Sequence, residues 1–224
     1  VLVAAPELLD DDALVRVWRQ SLAAVAARPS APVKAQTGEG EPDRRLLSDG
    51  ELPWLAGQVY ADVRGAARLA RQGRTELCEQ LEALTDTDGT PHARALRRLP
   101  LTLAVFTRGL WAGRVFGEKL LDRSSADRYA QLVARTALMV NADGRLALSN
   151  GASFAPASLL RTASVLAGID TRRPPGRRLL QLLGEPSLGK PDRDLAEQIK
   201  WVRDWIRQVM PDDEIPVQGA IVFT

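Results

Sequence analysis

Cysteine and histidine occur once each among the 224 residues, as Cys78 and His92. A lone cysteine excludes an intrachain disulfide and a thiolate metal cage. A lone histidine excludes a multi-histidine metal site and any acid–base scheme that needs two imidazoles. Neither sign of charge is in excess. The 30 cationic and 28 acidic side chains leave a formal net charge of +2, so there is no strong nucleic-acid signal and no general pull toward an anionic membrane. Mononucleotide, dinucleotide and serine-hydrolase chemistries also lack their signatures. There is no Gly-x-x-x-x-Gly-Lys-Ser/Thr loop and no Gly-x-Ser-x-Gly elbow, and Gly38-Glu39-Gly40 is not followed by the third glycine of a dinucleotide fingerprint. The acidic stretch Thr85–Pro91 resembles a calcium loop only superficially, because it lacks the full alternation of oxygen ligands and the distal bidentate glutamate. No motif calls for a metal or a cofactor. A secretory leader pattern is not visible either. The chain begins on Val1 and finishes on the apolar run Ala220–Phe223 before Thr224, so the sequence reads as a fragment whose partners include further domains of the same chain.

The longest apolar segment runs from Leu99 to Leu121 and carries Gly109, Gly113 and Gly117 at four-residue spacing. Residues i and i+4 share a helix face. Each glycine inside a helix costs about 1 kcal/mol relative to alanine. The stripe therefore predicts close contact with a neighbouring helix, for which the Tyr129–Val140 segment is the leading candidate. The segment is apolar nearly all round, as a buried helix is. Arg108, Arg114, Glu118 and Lys119 argue against a membrane span.

Helical spacing recurs along most of the chain. Leu14, Val17, Trp18, Leu22 and Val25 follow N-cap candidates at Asp10–Asp12. The Pro-, Gly- and charge-rich stretch 28–50 predicts a flexible loop. Beyond it Asp49 is a cap candidate, Pro53 falls in the first turn, and Leu55, Val59, Val63, Ala66 and Ala70 line one face, with Gly73 expected to interrupt before a further helix to Leu84. Pro100 is expected to open the glycine-striped helix. Tyr129, Leu132, Val133, Thr136, Ala137 and Val140 give the clearest helical face in the chain, preceded by a near capping box at Ser124 and Asp127. Arg145–Ser149 alternates as a short strand or extended arm does. Pro156 opens another helix, and Gly168 is placed to stop it. Arg172, Arg173, Arg177 and Arg178 around Pro174-Pro175-Gly176 suggest an exposed hinge. A last amphipathic helix is predicted from about Asp192 to Val209, then a buried strand at Val217–Thr224.

The fold class this predicts is mainly α: antiparallel helical hairpins, as a bundle or partial α/α toroid, with a C-terminal helix–strand element. The expected division is a helical domain at 1–170 and a unit at 171–224 made of hinge, amphipathic helix and terminal strand.

Few residues are of the type that carries chemistry. His92 lies in a turn, Tyr129 at a helical core position, and Asn141 in the turn Asn141-Ala142-Asp143-Gly144. Gly-Thr-Pro-His-Ala-Arg at 89–94, the long apolar helix and Asn-Ala-Asp-Gly-Arg-Leu-Ala-Leu at 141–148 resemble the helical part of some bacterial heparinase II/III-like proteins. That resemblance implies an α/α toroid cradling an acidic polysaccharide. It also implies a lyase that neutralises a uronate and moves protons with Asn, His, Tyr and Arg. Of those types, His92, Tyr129, Asn141 and Asn150 are candidates here. Ser187–Pro191, the Gln198 helix and Ile215–Thr224 are similar to the closing helix and strand of nuclease-related (NERD) domains, which implies metal-dependent phosphodiester cleavage. The Glu-x-Lys pair of that family does not occur in this sequence. Three functions stay open: a heparinase-like polysaccharide lyase or carbohydrate-binding domain, a nuclease-related protein, active or inactive, and a helical scaffold with no chemistry.

Overall fold

A computed structural model describes residues 10–26, 41–141, 145–146 and 157–184. Those residues are mainly helical, in the bundled arrangement the periodicity predicts. The helices are α1 (Asp11–Ala26), α2 (Glu41–Arg44), α3 (Leu52–Val59), α4 (Ala66–Leu84), α5 (Leu99–Phe116), α6 (Arg123–Met139), α7 (Ala157–Leu166) and α8 (Pro174–Leu183). Extended pairing among the described residues is confined to two isolated antiparallel bridges, Thr85 with Pro91 and Val140 with Leu146. The second touches the expected strand or arm at Arg145–Ser149. The expected helix at 192–209 and the strand at 217–224 lie outside the described residues. No helix among those described is long and apolar enough to cross a membrane.

The core forms where the apolar stripes meet. α3 lies along α4, α5 along α7, and α6 against α4, α7 and α8. Leu77, Leu81, Leu103, Phe106, Leu132, Val133, Leu160 and Leu179 are buried in one cluster. Each such side chain contributes roughly 1.5–3 kcal/mol through removal of its surface from water. A smaller cluster docks α1. Asp10 caps that helix by accepting from the Ala13 amide at 2.7 Å, and Trp18 and Leu22 pack on Ala56, Tyr60, Val63 and Ala66. Trp18 meets Tyr60 edge-on with centroids 5.6 Å apart, and the Tyr60 hydroxyl shares a hydrogen bond of 2.5 Å with Ser21 Oγ.

Several local expectations need correction. The stretch 28–50 is not a loop at its C-terminal end. Glu41–Arg44 is helical and continues as a seven-residue π-helix, Arg45–Glu51, directly into α3. Asp49 is therefore inside a helical run, 3.4 Å from Arg44 Nη1, and not at a helix start. The break falls not at Gly73 but at Tyr60–Gly65, and α4 passes straight through Gly73. Gly73 serves a close crossing instead: a Cβ there would strike the Trp54 amide nitrogen and the Gly50 carbonyl oxygen. The cap of α6 is Asp122, whose carboxylate accepts from the Ser125 amide at 2.8 Å, and not Ser124. The Arg-Pro-Pro-Gly stretch is not a hinge in its described part: Pro174–Leu183 is a helix that places Leu179 in the main core.

The glycine stripe is corrected twice. α5 ends at Phe116, because Gly117 takes a left-handed conformation (φ 74°) and its amide closes on Gly113 O. Only Gly109 and Gly113 lie inside the helix. Their neighbours are not the Tyr129 helix but Trp54 and the chain's own return. An added Cβ at Gly109 would come 2.8 Å from Leu120 Cδ2, and one at Gly113 would come 2.5 Å from the Glu118 carbonyl oxygen. Trp54 lies alongside both, and its indole N–H donates to Gly109 O at 3.0 Å.

These contacts rank the glycines. Gly73→Ala is expected to lose more than about 2 kcal/mol of stability in urea unfolding, because backbone must move. Gly109→Ala is expected to stay within about 1 kcal/mol of the parent, because the tip of Leu120 can rotate and alanine regains helix propensity. Equal losses at both positions would contradict the packing described.

Candidate functional site

His92 closes the segment after α4, Tyr129 lies within α6, and Asn141 follows the end of α6. The Thr85–His92 turn is closed by its own polar atoms. Thr85 Oγ1 donates to Leu81 O at 2.6 Å, the Asp86 amide donates to Thr90 O at 2.9 Å, and Asp88 Oδ1 accepts from the Thr90 amide at 3.0 Å. The Thr90 side chain first, then its amide, and nearby Arg135 hold the Asp88 carboxyl below its ordinary range. Gly89 (φ 76°) lets the turn lie flush on α6, where a Cβ would meet Gln131 Cβ, Arg128 O and Leu132 N at 2.5–2.7 Å. Arg128 and Arg135 of α6 fasten the turn, by Arg128 Nη1 to Thr85 O at 3.2 Å and Arg135 Nη2 to Asp88 Oδ2 at 2.7 Å.

His92 is part of this fastening. Its Nδ1 faces Ala83 O at 3.1 Å and its Nε2 faces Asp86 Oδ1 at 3.1 Å. The ring nitrogens thus face one acceptor in the last turn of α4 and one in the turn that follows it. A general acid or base needs a nitrogen within hydrogen-bond reach of a substrate proton. The His92 side chain is 32% exposed, and its Asp86 partner is 65% exposed.

Tyr129 points the other way, into the core. It is 1% exposed, packs on Phe106 with centroids 5.4 Å apart, and shares a 3.2 Å hydrogen bond with Thr107 Oγ1. Burial pushes its hydroxyl far above the ordinary phenol range, more than the Thr107 bond lowers it. Asn141 lies just past the end of α6. It pairs with Arg145 through two bonds: its amide donates to Arg145 O at 2.9 Å and its Oδ1 accepts from the Arg145 amide at 2.8 Å. Twelve residues separate Tyr129 from Asn141, about 18 Å along a helix. The three have different partners: Ala83 O and Asp86 for His92, Thr107 for Tyr129, and Arg145 for Asn141. Asn150 lies outside the described residues.

Cys78 is half-buried with its Sγ 3.9 Å from Leu120 O, and burial pushes the thiol up, so it is a packed residue and a poor nucleophile. Among the described residues, no three His, Cys, Asp or Glu side chains are grouped to hold a metal ion.

One polar feature escaped sequence reasoning. Glu51, at the end of the π-helix, is 6% exposed and takes a two-point contact from Arg108 of α5, with Nη2 to Oε2 at 2.9 Å. The hydrogen bond with Glu51 raises the Arg108 guanidinium above its ordinary value. The partners are 57 positions apart, so no spacing rule connects them. The pair joins the α3 run to α5 as a two-point charged clamp.

Comparisons with protein-family models, curated proteins and solved structures return no match.

Both tyrosines of the chain, Tyr60 and Tyr129, are raised by burial. The folded state therefore holds its phenolic protons where the unfolded chain releases them, and stability falls as pH rises past about 10. Tyrosinate absorbance is expected to appear together with loss of helical circular dichroism. Tyr129→Phe should lose about 1 kcal/mol at neutral pH, since Thr107 keeps a buried hydroxyl without its phenol partner. Tyrosinate absorbance rising near pH 10 in a fully helical protein would contradict this arrangement.

Proposed function

We propose that this chain is a non-enzymatic helical scaffold. The observation that carries the reading is the employment of the candidate groups: His92 fastens its own turn, Tyr129 closes a core hydroxyl pair, and Asn141 holds the Arg145 backbone. Each satisfies polar atoms of the fold, and buried or turn-closing polar groups are costly to leave unmade. A lyase needs such groups free to converge on a uronate, and a nuclease needs carboxylates gathered around a metal ion.

The test offers the full-length protein two substrates: heparin or alginate oligosaccharides, and supercoiled plasmid with magnesium. Neither an ultraviolet-absorbing unsaturated product nor nicked plasmid is expected. Unsaturated product that disappears in His92→Ala would overturn the scaffold reading in favour of a heparinase-like lyase. Magnesium-dependent nicking would overturn it in favour of a nuclease-related protein.

A second reading, binding of an acidic polysaccharide without cleavage, draws on α8. Arg172, Arg173, Arg177 and Arg178 are all exposed around its start, and the first turn holds no acidic side chain. Arg173 and Arg177 stand four residues apart, a like-charge spacing that costs a few tenths of a kcal/mol. Cations at a helix start also oppose its dipole. Asp170 answers only in part, at 3.5 Å from Arg173 Nε. Guanidinium groups suit carboxylate and sulfate geometry. On this reading, Arg177→Glu with Arg178→Glu leaves a heparin column at clearly lower salt than the parent, with an unchanged melting temperature. Identical elution of the two proteins would remove it.

A further inference from the structure

We draw no further inference here: the strongest candidate, the half-buried apolar face of α5 formed by Leu101, Ala104, Trp111 and Val115, carries nothing because nothing in the structure shows what covers it.

Discussion

Trp54 sits where three helical runs come closest, and the placement of the others follows from it. Its backbone presses on α4 at Gly73, and its ring lies along α5 from Gly109 to Gly113. Its indole N–H is satisfied on Gly109 O, so a large aromatic is buried without an orphaned donor. Gly57 repeats the close approach one turn later, against Ala66 and Ala70 of α4. Glycines are poor helix formers, and they are tolerated here because interior packing at native density leaves no room for a methyl group. The π-helical turn before α3 widens the helix just where Gly50 must meet Leu77 and Glu51 must reach Arg108.

The helical class, the Thr85–Pro91 turn, Pro100 at the start of α5 and the whole inner face of α6 were legible in the sequence. In each case the signal is local. Tyr129, Leu132, Val133, Thr136, Ala137 and Val140 repeat at helical spacing, and all six are buried. Gly117 was placed in the helix by its spacing and instead ends it in a left-handed conformation. Gly73 and Pro174 were weighed by intrinsic preference alone. Tertiary contact decided the outcome: Gly73 stays helical because α3 lies against it, and Pro174 opens a helix because Leu179 has a core to enter. Trp54 with Gly109 and Glu51 with Arg108 are separated by more than fifty residues. Nothing in a single sequence joins such partners.

The candidate site was legible only as a set of residue types. His92 was correctly read as a turn residue and Tyr129 as a core residue. Their directions were not readable, because direction depends on where Ala83 O, Asp86 and Thr107 come to lie. Once those partners are placed, polar side chains that a sequence offers for catalysis become the fastenings of a bundle. The Arg135–Asp88 and Arg128–Thr85 contacts extend the same pattern, tying the turn after α4 to α6. The scaffold reading rests on this division of labour among particular side chains.

The account depends most directly on Trp54 as the common contact of the α3 run, α4 and α5. The decisive measurement is the equilibrium unfolding of Trp54→Ala against the parent protein. Truncating a buried indole in a packed core costs about 3–5 kcal/mol, so a loss of that size, with helical content collapsing in one transition, is the predicted result. A variant within about 1 kcal/mol of the parent would contradict the account, because surface substitutions change stability by no more than roughly that amount.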